Sequence, residues 1–187
     1  MTRCLLVLAV VLCPGWAIAG DSVTYDSADE LEARGAVVSA FGGVDIEQGR
    51  PALQEFAAEG RGVVVVALGA LDVARHATAT QLRARIRSTL DVLADVRCVL
   101  WVDLRPTAPN PGWATDAGRF NRIVRALAPQ VIGWAAYSHG HRSWFRADNY
   151  HPNRIGQAAF ARFVASRVTT SHCESPSMVV TTKGAMP

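Results

Sequence analysis

Two kinds of apolar pattern alternate along the chain. Residues 63–68 and 98–104 are nearly unbroken runs of Val, Leu, Ala and Trp, the pattern of a strand buried on both faces. Shorter runs at 16–19, 36–41 and 131–137 predict three more strands. Between the runs the apolar positions recur every three or four residues instead. Leu82, Ile86, Leu90 and Leu93 form one stripe over 80–96, with Arg83, Arg85 and Arg87 mostly off it, as an amphipathic helix requires. Phe120, Ile123, Val124 and Leu127 do the same over 116–127, and Leu53 and Phe56 over 51–59. A Ser27–Glu30 capping box predicts a short helix ending at Gly35. Pro152, at a first-turn position, predicts a last helix with Ile155, Ala159, Phe160 and Phe163 inward. Strand-helix alternation of this kind predicts an α/β fold: a three-layer α/β/α sandwich around a five-stranded parallel sheet.

The ends of the chain depart from this alternation. Arg3 precedes an apolar run from Leu5 to Leu12, and Ala17-Ile18-Ala19 has a small-x-small spacing, so the N-terminus reads as an export leader. The run is too short to span a bilayer, which takes ~20 residues. Cleavage after Ala19 would remove the first predicted strand. Earlier cleavage, near Pro14-Gly15, or retention as a membrane-proximal anchor would keep it. The reading is a leader over 1–15, one domain over 16–169 and a Ser/Thr-rich flexible tail over 170–187. The expected location is the cell envelope or the exterior; the alternative is a cytoplasmic protein whose first strand is simply long.

Composition excludes several classes. The 187 residues are 50% hydrophobic and 19% charged, which is a folded chain and not a disordered one. The net charge is +3, and of the 19 basic residues only Lys183 is Lys. No basic run of five to eight residues exists, so no nucleic-acid surface is expected. The 4 Cys and 5 His form no C-x-x-C or H-E-x-x-H spacing, so neither a metal nor an organic cofactor is expected. No Gly-x-Gly-x-x-Gly or Walker loop follows the first strand, which argues against a nucleotide binder.

In open α/β sheets the working residues lie at the carboxyl ends of strands. Four such ends carry suitable chemistry: Gly20-Asp21-Ser22, Gly42-Gly43 with Gly49-Arg50, Gly69-Ala70-Leu71-Asp72, and Asp148-Asn149-Tyr150-His151. Ser22 at a helix start meets free N–H groups and the positive end of the dipole. It is a nucleophile if a base reaches it. His151 is the natural base, and Asp148 can orient its ring from the same loop. Each has a structural alternative: Ser22 as a helix cap, Asp148 as a turn residue, His151 as a cap of the last helix.

Gly20-Asp21-Ser22-Val23 near the start and Asp148-x-x-His151-Pro152 near the end resemble the first and last blocks of the SGNH/GDSL hydrolase family. The Val after Ser, with Gly49-Arg50 downstream, is most similar to the domains of sugar and peptidoglycan O-acetyltransferases. The resemblance spans residues 16 to about 168 and implies a flavodoxin-like sheet of SGNH-hydrolase type. It implies Ser22 as nucleophile, His151 as general base and Asp148 as orienting carboxylate. It also implies an oxyanion hole from the N–H of Ser22, a glycine N–H (Gly49, or Gly42 or Gly43) and a third-block Asn amide. Leu71 occupies that third-block position and has no donor, and the Asp72 carboxylate would repel an oxyanion. Arg50 and Trp144 are candidate substrate contacts, with a solvated Arg and a packed Trp as the alternatives. His139 and His141 are lesser candidates to line the cleft, and Asn121 is assigned a structural role. In an exported protein Cys98 and Cys173 are expected to pair, tying the C-terminus to the sheet.

The expected activity is hydrolysis of a small ester or acylated glycan through an acyl-enzyme. The alternatives are acyl transfer by the same triad and a non-catalytic module that binds glycan or a partner.

Overall fold

The computed structural model describes residues 15–108 and 110–171. Five parallel strands, β1 (Ala17–Gly20), β2 (Val37–Ala40), β3 (Val63–Ala67), β4 (Cys98–Val102) and β5 (Gln130–Ile132), run in the order β2-β1-β3-β4-β5. The register aligns Ala17 with Val37 on one side and Val64 on the other, so β1 is an interior strand. Among the described residues the helices that follow the strand ends are α1 (Ser22–Asp26), α2 (Ala28–Glu32), α3 (Ile46–Ala58), α4 (Ala70–Ala74), α5 (Ala79–Val92), α6 (Trp113–Leu127), α7 (Trp134–Tyr137) and α8 (Arg154–Thr170). Helices α3, α5 and α6 pack together on one face of the sheet, and α2 and α8 on the other. The α/β/α sandwich expected from the apolar runs is thus the observed architecture. The core holds Ile18, Val65, Leu100, Trp101, Phe120 and Phe160, all essentially without exposure.

Strand order reverses beside β1, between β2 and β3, and that opens a crevice at the carboxyl ends. Around it the chain departs locally from the sequence pattern at four places. The run 131–137 does not continue as strand. It stops at Ile132 because the Asp103 carboxylate at the end of β4 accepts the Ala135 N–H at 2.7 Å, which starts α7 and buries Trp134. Helix α3 begins at Ile46, ahead of Pro51, because Asp45 and Gln48 form a reciprocal capping box. That Asp-x-x-Gln spacing is the available signal, and the proline obscures it. Helix α8 is capped by Asn153, whose Oδ1 accepts the N–H groups of Ile155 and Gly156. Pro152 therefore lies outside that helix and pairs with Phe145 in an isolated bridge. Ser27 is likewise no side-chain cap, since its hydroxyl donates to the Val23 carbonyl at 2.8 Å.

Of the leader expected over 1–15, residues 1–14 lie outside the described residues, as does Cys173. Cys98 is buried at the head of β4, with its Sγ 3.7 Å from Ser171 Oγ. Among the described residues no helix is long and apolar enough to cross a membrane, and no three side chains form a metal-binding group.

Candidate active site

The turn after β1 is built by Gly20 and Asp21. A Cβ at Gly20 would lie 2.0 Å from Thr24 Oγ1, so only glycine lets α1 fold back this closely over the strand end. The Asp21 N–H extends the β1–β3 pairing by donating to the Ala67 carbonyl at 3.1 Å. Its Oδ1 accepts the Val23 N–H at 3.1 Å and caps α1. Ser22 is therefore the first residue of α1, half-buried at the mouth of the crevice.

The second half comes from the loop before α8. Asn149 is held in the left-handed region at φ 57°, which turns the chain between Asp148 and His151. Asp148 Oδ1 accepts the N–H groups of Tyr150 and His151 at 2.9 and 3.0 Å, while Oδ2 contacts His151 Nδ1 at 2.6 Å. Burial alone would raise the Asp148 carboxyl, but the Tyr150 N–H, the His151 ring and the His151 N–H together hold it below its ordinary value. His151 Nε2 lies 3.0 Å from Ser22 Oγ, across 129 residues of sequence. Ser22, His151 and Asp148 thus form one continuous hydrogen-bonded series.

The series opens on a cavity of about 350 Å³ lined among others by Gly43, Val44, Leu71, Asn110, Trp113 and Tyr150. Its walls are largely aliphatic and aromatic, and among the described residues no Lys or Arg reaches it. A neutral apolar group suits such walls better than an anion.

Four sequence expectations change here. Gly49 is inside α3: its N–H donates to the Asp45 carbonyl at 3.0 Å and cannot face a substrate. Its missing side chain serves packing, since a Cβ there would lie 2.4 Å from Leu68 Cδ1. The glycine at the cavity is Gly43, at φ 73°, and no acceptor among the described residues takes its N–H. Arg50 points to α5, donating to Ser88 Oγ at 3.0 Å, and lies away from the cavity. Trp144 stacks on His141, with ring centroids 3.8 Å apart, and neither residue lines the cavity; nor does His139. Trp113 and Tyr150, in edge-to-face contact at 4.8 Å, form the aromatic wall instead.

Two arginines and one aspartate to which the sequence assigns no role hold these loops in place. Asp72 is fully buried, accepts the Ile46 N–H at 3.0 Å and the Arg85 guanidinium at 2.5 Å, and so ties α4 to the start of α3 beside Gly43-Val44. Arg105, 6% exposed, donates to the Asn149 carbonyl at 3.2 Å and the Ser138 carbonyl at 2.5 Å, and lies 4.0 Å over the Phe145 ring. It braces the Asp148–His151 turn from below. Among 18 scattered arginines nothing in the sequence marks it out. Asn121 has the structural role expected of it, with its side chain bonded both ways to the Leu104 backbone at 2.8 Å.

No protein-family model and no curated protein sequence matches the chain. Solved structures do match. The C-terminal catalytic domain of Streptococcus pneumoniae peptidoglycan O-acetyltransferase A superposes with a TM-score of 0.70 at 16% identity, covering 84% of this chain and 94% of that one. A member of the lipolytic G-D-S-L family from Veillonella parvula gives 0.69 at 13% identity, covering 83% and 98%. A GDSL-like lipase from Bacteroides thetaiotaomicron gives 0.65 at 15%, covering 88% and 91%. The fold is that of the SGNH/GDSL hydrolases. Ser22, Gly43, Asp148 and His151 all line one cavity. Leu71 lines the same cavity with an aliphatic side chain.

Proposed function

We propose that the chain is a serine ester hydrolase of the SGNH/GDSL family working through an acyl-enzyme. The observation that carries the reading is the Ser22–His151–Asp148 series, with contacts of 3.0 and 2.6 Å, in the lining of an apolar cavity. Ser22 Oγ attacks the ester carbonyl as His151 Nε2 takes its proton. Asp148, held ionised, fixes the tautomer and stabilises the imidazolium that forms. The N–H groups of Ser22 and Gly43 receive the oxyanion. The intermediate collapses, and the alcohol leaves with the proton from His151. Water, deprotonated by the same ring, then attacks the acyl-enzyme and releases the acid and Ser22. A hydroxyl acceptor in place of that water would give acyl transfer, the activity named for the O-acetyltransferase domain of the same fold. The substrate class is a small ester or acylated glycan, with its acyl group against Leu71 and Trp113, and the leader pattern favours action outside the cytoplasm.

A fluorophosphonate probe tests this directly. The expected result is a single adduct on Ser22, absent from Ser22→Ala, with hydrolysis of short-chain p-nitrophenyl esters lost in the same variant. Equal ester hydrolysis by both proteins and no adduct would refute the reading and favour a non-catalytic binding module, for which the donorless Leu71 is the supporting feature.

Leu71 makes a second expectation. One missing oxyanion donor costs ~10²–10³ in rate. Leu71→Asn places an amide at the cavity wall and is expected to raise kcat on p-nitrophenyl acetate by ~10-fold or more. An unchanged kcat with an intact fold would mean that this wall does not face the oxyanion.

A further inference from the structure

A second, internal cavity lies directly beneath the nucleophile turn. Asp21, Thr24, Asp103, Arg105 and Tyr150 provide its polar lining, and apolar residues including Val102 and Phe160 close it. It leaves about 20 Å³ for the centre of a water molecule; one ordered water needs about 10–15 Å³ and two to four polar partners. Most polar groups around it are already engaged. Arg105 is bonded to Ser138 and Asn149, and Asp103 to Arg125 and the Ala135 N–H. Two are not. Asp21 Oδ2 and Thr24 Oγ1 are both buried, at residues 3% and 0% exposed, and neither has a hydrogen-bond partner among the described residues.

We propose that this cavity is an internal water site, in which one water accepts from the Thr24 hydroxyl and donates to Asp21 Oδ2, keeping Asp21 ionised beneath the catalytic turn. Asp21 borders both cavities, the one holding Ser22 and His151 and the one among buried residues below. Burial pushes its carboxyl up to about 6, against the Val23 and Ala70 N–H groups and the His151 charge, which pull it down. The titratable and charged groups around it are His151 and Tyr150 from the loop before α8, Asp72 from α4, and Asp103 and Arg105 from the end of β4. A donor on Oδ2 favours the charged form. The water thereby sets how far into acid the carboxylate beneath Ser22 stays charged, and any consequence of that charge for catalysis rests on the hydrolase reading.

High-resolution crystal structures of the wild type, Thr24→Val and Thr24→Ser test the site. The expected result is an ordered water within hydrogen-bond distance of both atoms in the wild type, lost in Thr24→Val and kept in Thr24→Ser. An empty cavity in the wild type, or Thr24 Oγ1 bonded directly to Asp21 Oδ2, would overturn the proposal. Followed by carboxyl 13C NMR, Asp21 should titrate about one pH unit higher in Thr24→Val than in the wild type, and Thr24→Ser should restore it. An Asp21 titration unmoved in Thr24→Val would overturn the coupling to Asp21. Should Thr24→Val fail to fold, Thr24→Ala takes its place, with the same loss of the water and the same upward shift of Asp21 expected. A protein with neither esterase activity nor a probe adduct would refute the hydrolase reading, while the wild-type crystal structure would still decide the water site.

Discussion

Asp148→Asn lowers kcat/KM on p-nitrophenyl esters by about 10⁴-fold while leaving the protein folded. The geometry explains why so small a change costs so much. Oδ1 of Asp148 accepts two backbone N–H groups, from Tyr150 and His151. In the variant the amide oxygen keeps those two bonds, which turns the amide nitrogen toward His151 Nδ1. A donor there leaves Nδ1 unprotonated and puts the ring proton on Nε2, facing Ser22 Oγ at 3.0 Å. The ring can no longer take the serine proton. Steady-state kinetics with circular dichroism checks both halves; a loss under tenfold with the fold intact would remove Asp148 from the reaction. The variant also changes acid stability. The wild-type carboxyl is held below its ordinary 3.8, so its interactions stabilise the fold above that pH and are lost as pH falls through the depressed value. The uncharged amide of the variant has no such contribution to lose.

The second large effect lies away from the chemistry. Arg85→Met removes the guanidinium from a carboxylate with no solvent exposure. Asp72 then keeps only the Ile46 N–H at 3.0 Å. Breaking a buried pair from one side costs about 3 kcal/mol, which for a chain of this size lowers Tm by about 6–12 °C. Burial already raises the Asp72 carboxyl, against the Arg85 and Ile46 hydrogen bonds. Without Arg85 it rises further, and the cost of ionising it appears only as pH climbs toward that raised value. The destabilisation is therefore larger at pH 8 than at pH 5. Thermal unfolding at the two pH values measures it; equal losses would mean that Asp72 is not charged in the fold. Because the same carboxylate fixes the start of α3 beside Gly43 and Val44, esterase activity should fall with it.

The expectations that fail share a cause. Pro51 has the local signature of a helix start and so leaves Gly49-Arg50 in a loop, yet Asp45 and Gln48 cap the helix about a turn and a half earlier. That shift alone removes the Gly49 N–H from the site and turns Arg50 onto Ser88. Closeness in sequence to Asp148 suggests Trp144 as a cleft wall. It instead packs on His141 and Trp134, because the chain doubles back through the Phe145–Pro152 bridge. Arg105 carries no signal at all: its role depends on meeting Asn149, 44 positions later, through a loop whose path no local pattern specifies.

The layering of the domain and the two motifs that meet at its cavity are legible in the order of the amino acids. Apolar runs report burial on both faces and stripes report burial on one, since each depends only on neighbours a few residues away. Gly20-Asp21-Ser22 and Asp148-x-x-His151 could be paired because strand-helix alternation puts both at the same edge of a parallel sheet. Long-range packing alone settles which glycine faces the cavity, which aromatics wall it, and which buried charges hold the loops. Those outcomes depend on contacts between segments tens of residues apart, where a cap displaced by one turn changes which atoms meet.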